Sequence, residues 1–169
     1  MIVATTTAAD ETQQLGAAIA ELVRPGDLVL LAGELGAGKT ALVQGIGRGL
    51  GITEPITSPT FVLARQHDGG RVVLHHIDVY RLEQMHEVFD VGLPELLDEG
   101  GVAVVEWGDV AAAVLAPDFL EVCLEQGAGD DDRLVTLRAT GGRWSSRLRP
   151  LAVALDRWLV SDAGEGSAR

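Results

Sequence analysis

The chain has 169 residues, 47% apolar and 22% charged, with 25 acidic residues against 13 basic ones and a formal net charge of −12. That size and apolar content support one substantial core and exclude a disordered chain, while the negative charge excludes a stand-alone nucleic-acid binder. The single Cys123 forms no internal disulfide or zinc cluster, no apolar run is long enough to cross a bilayer, and the N-terminus lacks a signal-peptide pattern, so the expectation is a cytoplasmic protein without a membrane partner.

In chain order, Thr7 followed by Asp10 predicts a capping box opening a helix over 8–23, with Leu15, Ile19, Leu22 and Val23 as its apolar stripe. Pro25-Gly26 ends it. Residues 27–32 form a continuous apolar run, the pattern of a strand covered on both faces. Seven glycines fall between residues 33 and 51. The first three belong to a loop, and the others are expected to interrupt a helix from about Lys39 to Gly49. After a loop over 52–60, strands are predicted over 61–66 and 71–80, joined at Asp68-Gly69-Gly70. Short helices are expected over 82–90 and 94–99. A buried strand over 102–105 ends in Glu106-Trp107. Strands over 119–124 and 134–138 form a second hairpin around the acidic loop 125–132. One final helix carries Trp144, Leu148, Leu151, Leu155, Trp158 and Leu159, and 161–169 is expected to be a disordered tail. The pattern is α/β with a mixed sheet, in one domain over 1–160.

Of the 13 basic residues, only Lys39 is a lysine. It lies in Gly33-Glu34-Leu35-Gly36-Ala37-Gly38-Lys39-Thr40, which fits G-x-x-x-x-G-K-[ST], the phosphate-binding loop. Glycines let successive N–H groups converge on phosphate oxygens, and the helix opening at Lys39, Thr40 and Ala41 adds its positive end. In such a loop the lysine neutralises the β- and γ-phosphates and the threonine hydroxyl is placed to ligate Mg²⁺. Chance would produce the four specified positions in roughly one chain of this size in a hundred or fewer, and here a buried strand precedes them and a helix follows.

A nucleotide loop needs a second acid at a neighbouring strand end. Glu106 and Asp78 are the two best placed, and both can serve. Ser58-Pro59-Thr60-Phe61 falls where nucleotide switches carry a γ-phosphate-sensing threonine, although alone such a segment is more often a turn. His75 and His76 point to opposite faces of a strand, which disfavours a shared metal, and His76 is expected to order the strand end through hydrogen bonds. Tyr80 and Arg81 are candidates either for core and surface or for bracing the site. Trp107 is a candidate for an aromatic plug or for docking and nucleotide response. Arg138, Arg143, Arg147 and Arg149 are the only dense basic cluster, with Arg143 and Arg147 expected to be solvated.

With no other lysine, the [NT]-K-x-D guanine-reading element of Ras-like GTPases is impossible. The Glu-Trp strand end argues against helicases and AAA-type motors. What remains is a small-molecule kinase or an ATPase that works on a partner protein. The kinase needs an arginine-bearing lid, and the only arginine cluster lies in a hairpin and final helix.

GELGAGKT, SPTF, HIDVYR with Leu82, and VEWGD, in this order and spacing, resemble the TsaE (YjeE) family of bacterial P-loop ATPases over about residues 10–125. The resemblance implies a compact three-layer P-loop NTPase-like fold with a mixed, mainly parallel sheet. It implies an Mg²⁺-dependent ATPase serving N6-threonylcarbamoyladenosine synthesis in tRNA; hydrolysis is expected to be slow in isolation, because no residue is assignable as an arginine finger. The partners it implies are TsaD and TsaB, with tRNA reached only through that complex. It further implies that Lys39 and Thr40 hold phosphate and Mg²⁺, that Glu106 is the metal-site acid, and that Asp78 is the acid needed for hydrolysis. Thr60 then takes the switch-like position, and Trp107 follows the metal-site glutamate as in the family. Arg65 and Arg81 are the arginine-finger candidates within the chain.

Overall fold

The computed structural model describes residues 1–58, 64–79, 92–107 and 117–160. Strands β1 (Ile2–Thr6), β2 (Leu28–Ala32), β3 (Ala64–His67), β4 (Leu74–Val79), β5 (Val102–Trp107), β6 (Phe119–Gln126) and β7 (Arg133–Thr140) form one seven-stranded sheet, ordered β1-β7-β6-β2-β5-β4-β3. The expected mixed sheet is parallel across its centre, where β6, β2, β5 and β4 run side by side. Antiparallel partners complete both flanks, including the two expected hairpins, β3–β4 and β6–β7. β1 was not foreseen. Its alternation is too brief to register alone, and it is a strand because β7 offers it an edge, with Ile2 opposite Leu137 and Ala4 opposite Val135.

Helices α1 (Ala9–Ala20), α2 (Lys39–Gly49), α3 (Leu93–Asp98), α4 (Gly142–Ser145) and α5 (Leu148–Ala154) cover the sheet. Alternation along β2 divides the core. Val29 and Leu31 join the cluster with Leu15, Ile19, Leu42 and Ile46 of α1 and α2, while Leu28 and Leu30 join Leu93 of α3 on the opposite face. The result is three layers. The same alternation places Leu74, His76 and Asp78 of β4, and Val102, Val104 and Glu106 of β5, on the α1–α2 face.

Local differences from the expectations have physical causes. At the start of α1 the cap uses Glu11, not Asp10: the Thr7 backbone N–H (2.7 Å) and hydroxyl (3.0 Å) both donate to its carboxylate. Those bonds hold the Glu11 carboxyl below its ordinary value. The helix then ends at Ala20, short of the predicted residue 23.

The glycines of α2 do not interrupt it. A Cβ at Gly45 would overlap the Gln13 carbonyl oxygen, and one at Gly16 the Leu42 carbonyl oxygen, so these positions let the backbones of α1 and α2 touch. The final helix, predicted as one, is three pieces: α4, α5 and a 3₁₀ turn over Asp156–Trp158. Pro150 has no N–H for the Ser146 carbonyl and its ring excludes a continuous helix there. Its apolar residues still pack inward, with Trp144, Leu151, Leu155 and Trp158 buried.

Arg147 was expected in solvent and is instead only 3% exposed. It donates to both carboxylate oxygens of Asp27 at 2.6 and 2.8 Å, and to the Leu22 carbonyl. Arg143 bonds the Pro25 carbonyl and lies 3.5 Å from Asp27. The basic cluster is therefore partly an internal clamp. Among the described residues no helix is long and apolar enough to cross a membrane. The predicted helix over 82–90 and tail over 161–169 lie outside the described residues.

Candidate nucleotide site

Strand β2, the glycine loop and α2 follow one another as the loop motif requires. Gly33 has φ 150° and Gly38, at the N-cap of α2, has φ 100°. A Cβ at Gly33 would come within 2.6 Å of the Leu124 carbonyl oxygen, so the loop passes against β6 where no side chain fits. Glu34, Leu35 and Gly36 are exposed at the loop tip, Ala37 is buried, and Lys39, Thr40 and Ala41 are half-buried. The Lys39 ammonium donates to the carbonyls of Gly33 (2.6 Å) and Glu34 (3.0 Å), folding back over the loop. The first-turn N–H groups of α2 lack partners within the helix, as at any helix start, and carry its positive end.

The two acids are brought together. β4 and β5 run parallel with Asp78 opposite Glu106, at the same end of the sheet as the glycine loop. Glu106 is 4% exposed and its Oε1 lies 2.8 Å from His76 Nε2. Asp78 is half-buried, and its carboxyl is raised above its ordinary value, chiefly by burial and next by the Glu106 charge, with His76 and Lys39 opposing. Among the described residues neither acid has an arginine or lysine within ion-pair distance.

One residue was missed. Arg133, at the start of β7, donates from Nε to the Ala37 carbonyl (2.9 Å) and from Nη2 to the Gly36 carbonyl (3.3 Å). Its Nη1 bonds the carbonyls of Asp130 and Asp132, so one guanidinium joins the acidic loop to the phosphate loop. The only sequence signal was an arginine closing a run of aspartates. Beside it lies a cleft of about 400 Å³ lined by Thr5, Thr6, Thr7, Gln126, Asp132 and Arg133, among others. Thr12 borders the loop: its Cγ2 stands 3.9 Å from where a Gly38 Cβ would sit, and its hydroxyl shares a 2.8 Å hydrogen bond with Thr6.

Ser58 is half-buried at the end of the described loop 52–58, and Arg65 is exposed on β3 opposite His76. Thr60, Tyr80 and Arg81 lie outside the described residues, and of Trp107 only the backbone, in β5, is described.

Fold and site together define an α/β protein with a strand, glycine loop and helix of phosphate-loop pattern and two strand-end acids beside it. The chain belongs to the TsaE family. The family's sequence profile, described as threonylcarbamoyl adenosine biosynthesis protein TsaE, matches residues 6–135. The chain is 39% identical over 135 residues to the tRNA threonylcarbamoyladenosine biosynthesis protein TsaE of Bacillus subtilis, covering 80% of this chain and 84% of that protein. It is 44% identical over 140 residues to the Streptomyces coelicolor protein of the same name, covering 79% of this chain and 94% of that one. The crystal structure of Bacillus subtilis YdiB superposes with a TM-score of 0.71 at 32% identity, covering 93% of this chain and 97% of that one.

Proposed function

We propose that the protein is a Mg²⁺-dependent ATPase in tRNA threonylcarbamoyladenosine biosynthesis, acting on a TsaD–TsaB complex to permit its turnover. The carrying observation is the pair of carboxylates, Asp78 opposite Glu106, beside the glycine loop and Lys39, with no arginine or lysine in ion-pair contact among the described residues. Two adjacent ionised carboxylates repel, and a cation relieves that cost. The donor set is all hard oxygen, from the Thr40 hydroxyl and Glu106, which suits Mg²⁺. When bound, Mg²⁺ supplies charge neutralisation across the β- and γ-phosphates.

The chain's own groups divide the remaining work. Loop N–H groups and Lys39 hold the phosphates, with Lys39 exchanging its two carbonyl partners for phosphate oxygens. Thr40 and Glu106 would hold the metal. Asp78 stands at the strand end to accept a proton from, or orient, the attacking water. The cleft beside Arg133 takes the adenine. Arg65 shares the face of Asp78 and Glu106 and is the described arginine-finger candidate; Thr60, with Ser58, would sense the γ-phosphate, and Tyr80, Arg81 and Trp107 would meet the switch or partner. With a net charge of −12, the protein reaches tRNA only through its partners.

Steady-state ATP hydrolysis, measured alone and with TsaD–TsaB, tests this, with Lys39→Ala as blank. A low basal rate that rises with the pair and vanishes in the variant is expected. A rate indifferent to the pair would overturn the partner-directed function and favour a kinase acting on a small molecule.

A further inference from the structure

His67, His76 and Glu106 stand in a row across three adjacent strands. His67 lies opposite Leu74 in the β3–β4 register, so it shares with His76 the sheet face beneath α2. Both rings are buried, at 4% and 0% exposure, and their centroids are 6.5 Å apart. Each ring has one nitrogen on a carboxylate: His67 Nδ1 is 2.7 Å from Glu54 Oε1, and His76 Nε2 is 2.8 Å from Glu106 Oε1. The other nitrogens, His67 Nε2 and His76 Nδ1, are buried and have no hydrogen-bond partner among the described residues. Glu54, whose side chain is 52% exposed, lines an open cleft of about 360 Å³ beside the C-terminal half of α2.

A carboxylate only accepts, so in a neutral ring the nitrogen facing it carries the proton and the other is an acceptor. The two leftover nitrogens are then both acceptors and cannot pair with each other. One donor with two hydrogens between the rings, whose centroids are 6.5 Å apart, would satisfy both nitrogens, and a single water is the simplest. Such a water stops the His76 ring from flipping, which would replace the Nε2–H facing Glu106 by a carbon or a lone pair. Glu106 needs this restraint because Asp78 beside it pushes its carboxylate away.

We propose that Glu54, His67, one bridging water and His76 form a relay that holds the Glu106 carboxylate in the orientation a divalent cation requires. His76 is a positioning residue, and the loop 52–58 is coupled through Glu54 to the metal-site acid. The relay presupposes Glu106 as a magnesium ligand, and the test separates the two.

In the full chain, calorimetry gives the ratio of ADP dissociation constants without and with Mg²⁺. Glu106→Gln sets the collapsed value. His76→Leu should lower the magnesium effect at least about 10-fold while leaving magnesium-free ADP binding unchanged. His76→Gln, whose amide can still donate to Glu106, should recover most of it, and His67→Phe and Glu54→Ala should each lose about threefold. Glu54→Ala, at the half-exposed end, remains informative if a buried variant fails to fold. Ring ¹⁵N spectra should find His67 as the Nδ1–H tautomer and His76 as the Nε2–H tautomer, with the His76 Nδ1 resonance moving in His67→Phe.

A wild-type magnesium effect in folded His76→Leu or Glu54→Ala, beside a collapsed one in Glu106→Gln, overturns the relay alone. An Nε2–H tautomer at His67 does the same. An undiminished effect in Glu106→Gln overturns the metal-site assignment, and the relay's purpose with it.

Discussion

Two buried acidic sites mark opposite ends of the same sheet. Asp27, just before β2, is 2% exposed and fully matched, by a bidentate Arg147, by the Arg24 backbone N–H at 2.8 Å, and by Arg143 at the rim. Glu106 and Asp78, at the far ends of β5 and β4, have a histidine and each other. A carboxylate whose lone pairs and charge are met by the protein secures the fold. One left short of positive charge costs stability and is held ready for a cation from outside. Charge satisfaction, more than burial, separates the structural acid from the two proposed to be functional.

The sharpest way to break this contrast is Asp27→Ala, which strands a buried guanidinium. It should cost about 3–5 kcal/mol and lower Tm by about 10 °C, while ADP affinity of the folded protein stays at wild type. Glu106→Gln should do the reverse: no loss of Tm, but at least about a 10-fold loss in the magnesium enhancement of ADP binding. Arg133→Ala removes the bonds to the Gly36 and Ala37 carbonyls and should weaken ADP binding about fivefold by calorimetry, with or without magnesium.

The smallest effect sharpens the comparison most. Folding raises the Asp78 pKa, so its ionised form opposes folding above the raised value and has no effect below its ordinary 3.8. Asp78→Asn should therefore raise Tm of the nucleotide-free protein by about 1–3 °C near neutral pH, and the gain should fade on acidification. The same variant should lose ATP hydrolysis. A Tm gain that persists in acid would mean that Asp78 is no uncompensated charge.

Much of the candidate site is legible because the chemistry proposed for it requires particular residue types at short range. The glycines, Lys39 and Thr40 are contiguous, and an acid closing an apolar strand announces itself, as Glu106 does. Contacts made by topology were not legible. Arg133 reaches the phosphate loop only because β7 and β6 bring it there from 96 residues away. Arg147 sits on a short helical stretch whose pattern marks an inward face but cannot reveal that Asp27 waits beneath it. The α2 glycines were misjudged because helix propensity rates each residue alone, whereas α1 lies against their bare backbone. The split of the last helix was legible at Pro150 and was overridden by the regular spacing of its apolar residues.

The outer side of β1 has a further consequence. Leu159 bridges to Ala4, and the Val160 N–H bonds the Val3 carbonyl at 3.0 Å, so the chain's last described residues cap the strand at that end of the sheet. Open strand edges recruit other chains, and here part of the β1 edge is covered by the backbone of Leu159 and Val160. Two residues far from any chemistry thus act as a guard against self-association. Truncation before Leu159 should therefore open the outer edge of β1 and raise the chain's tendency to self-associate, which light scattering would register.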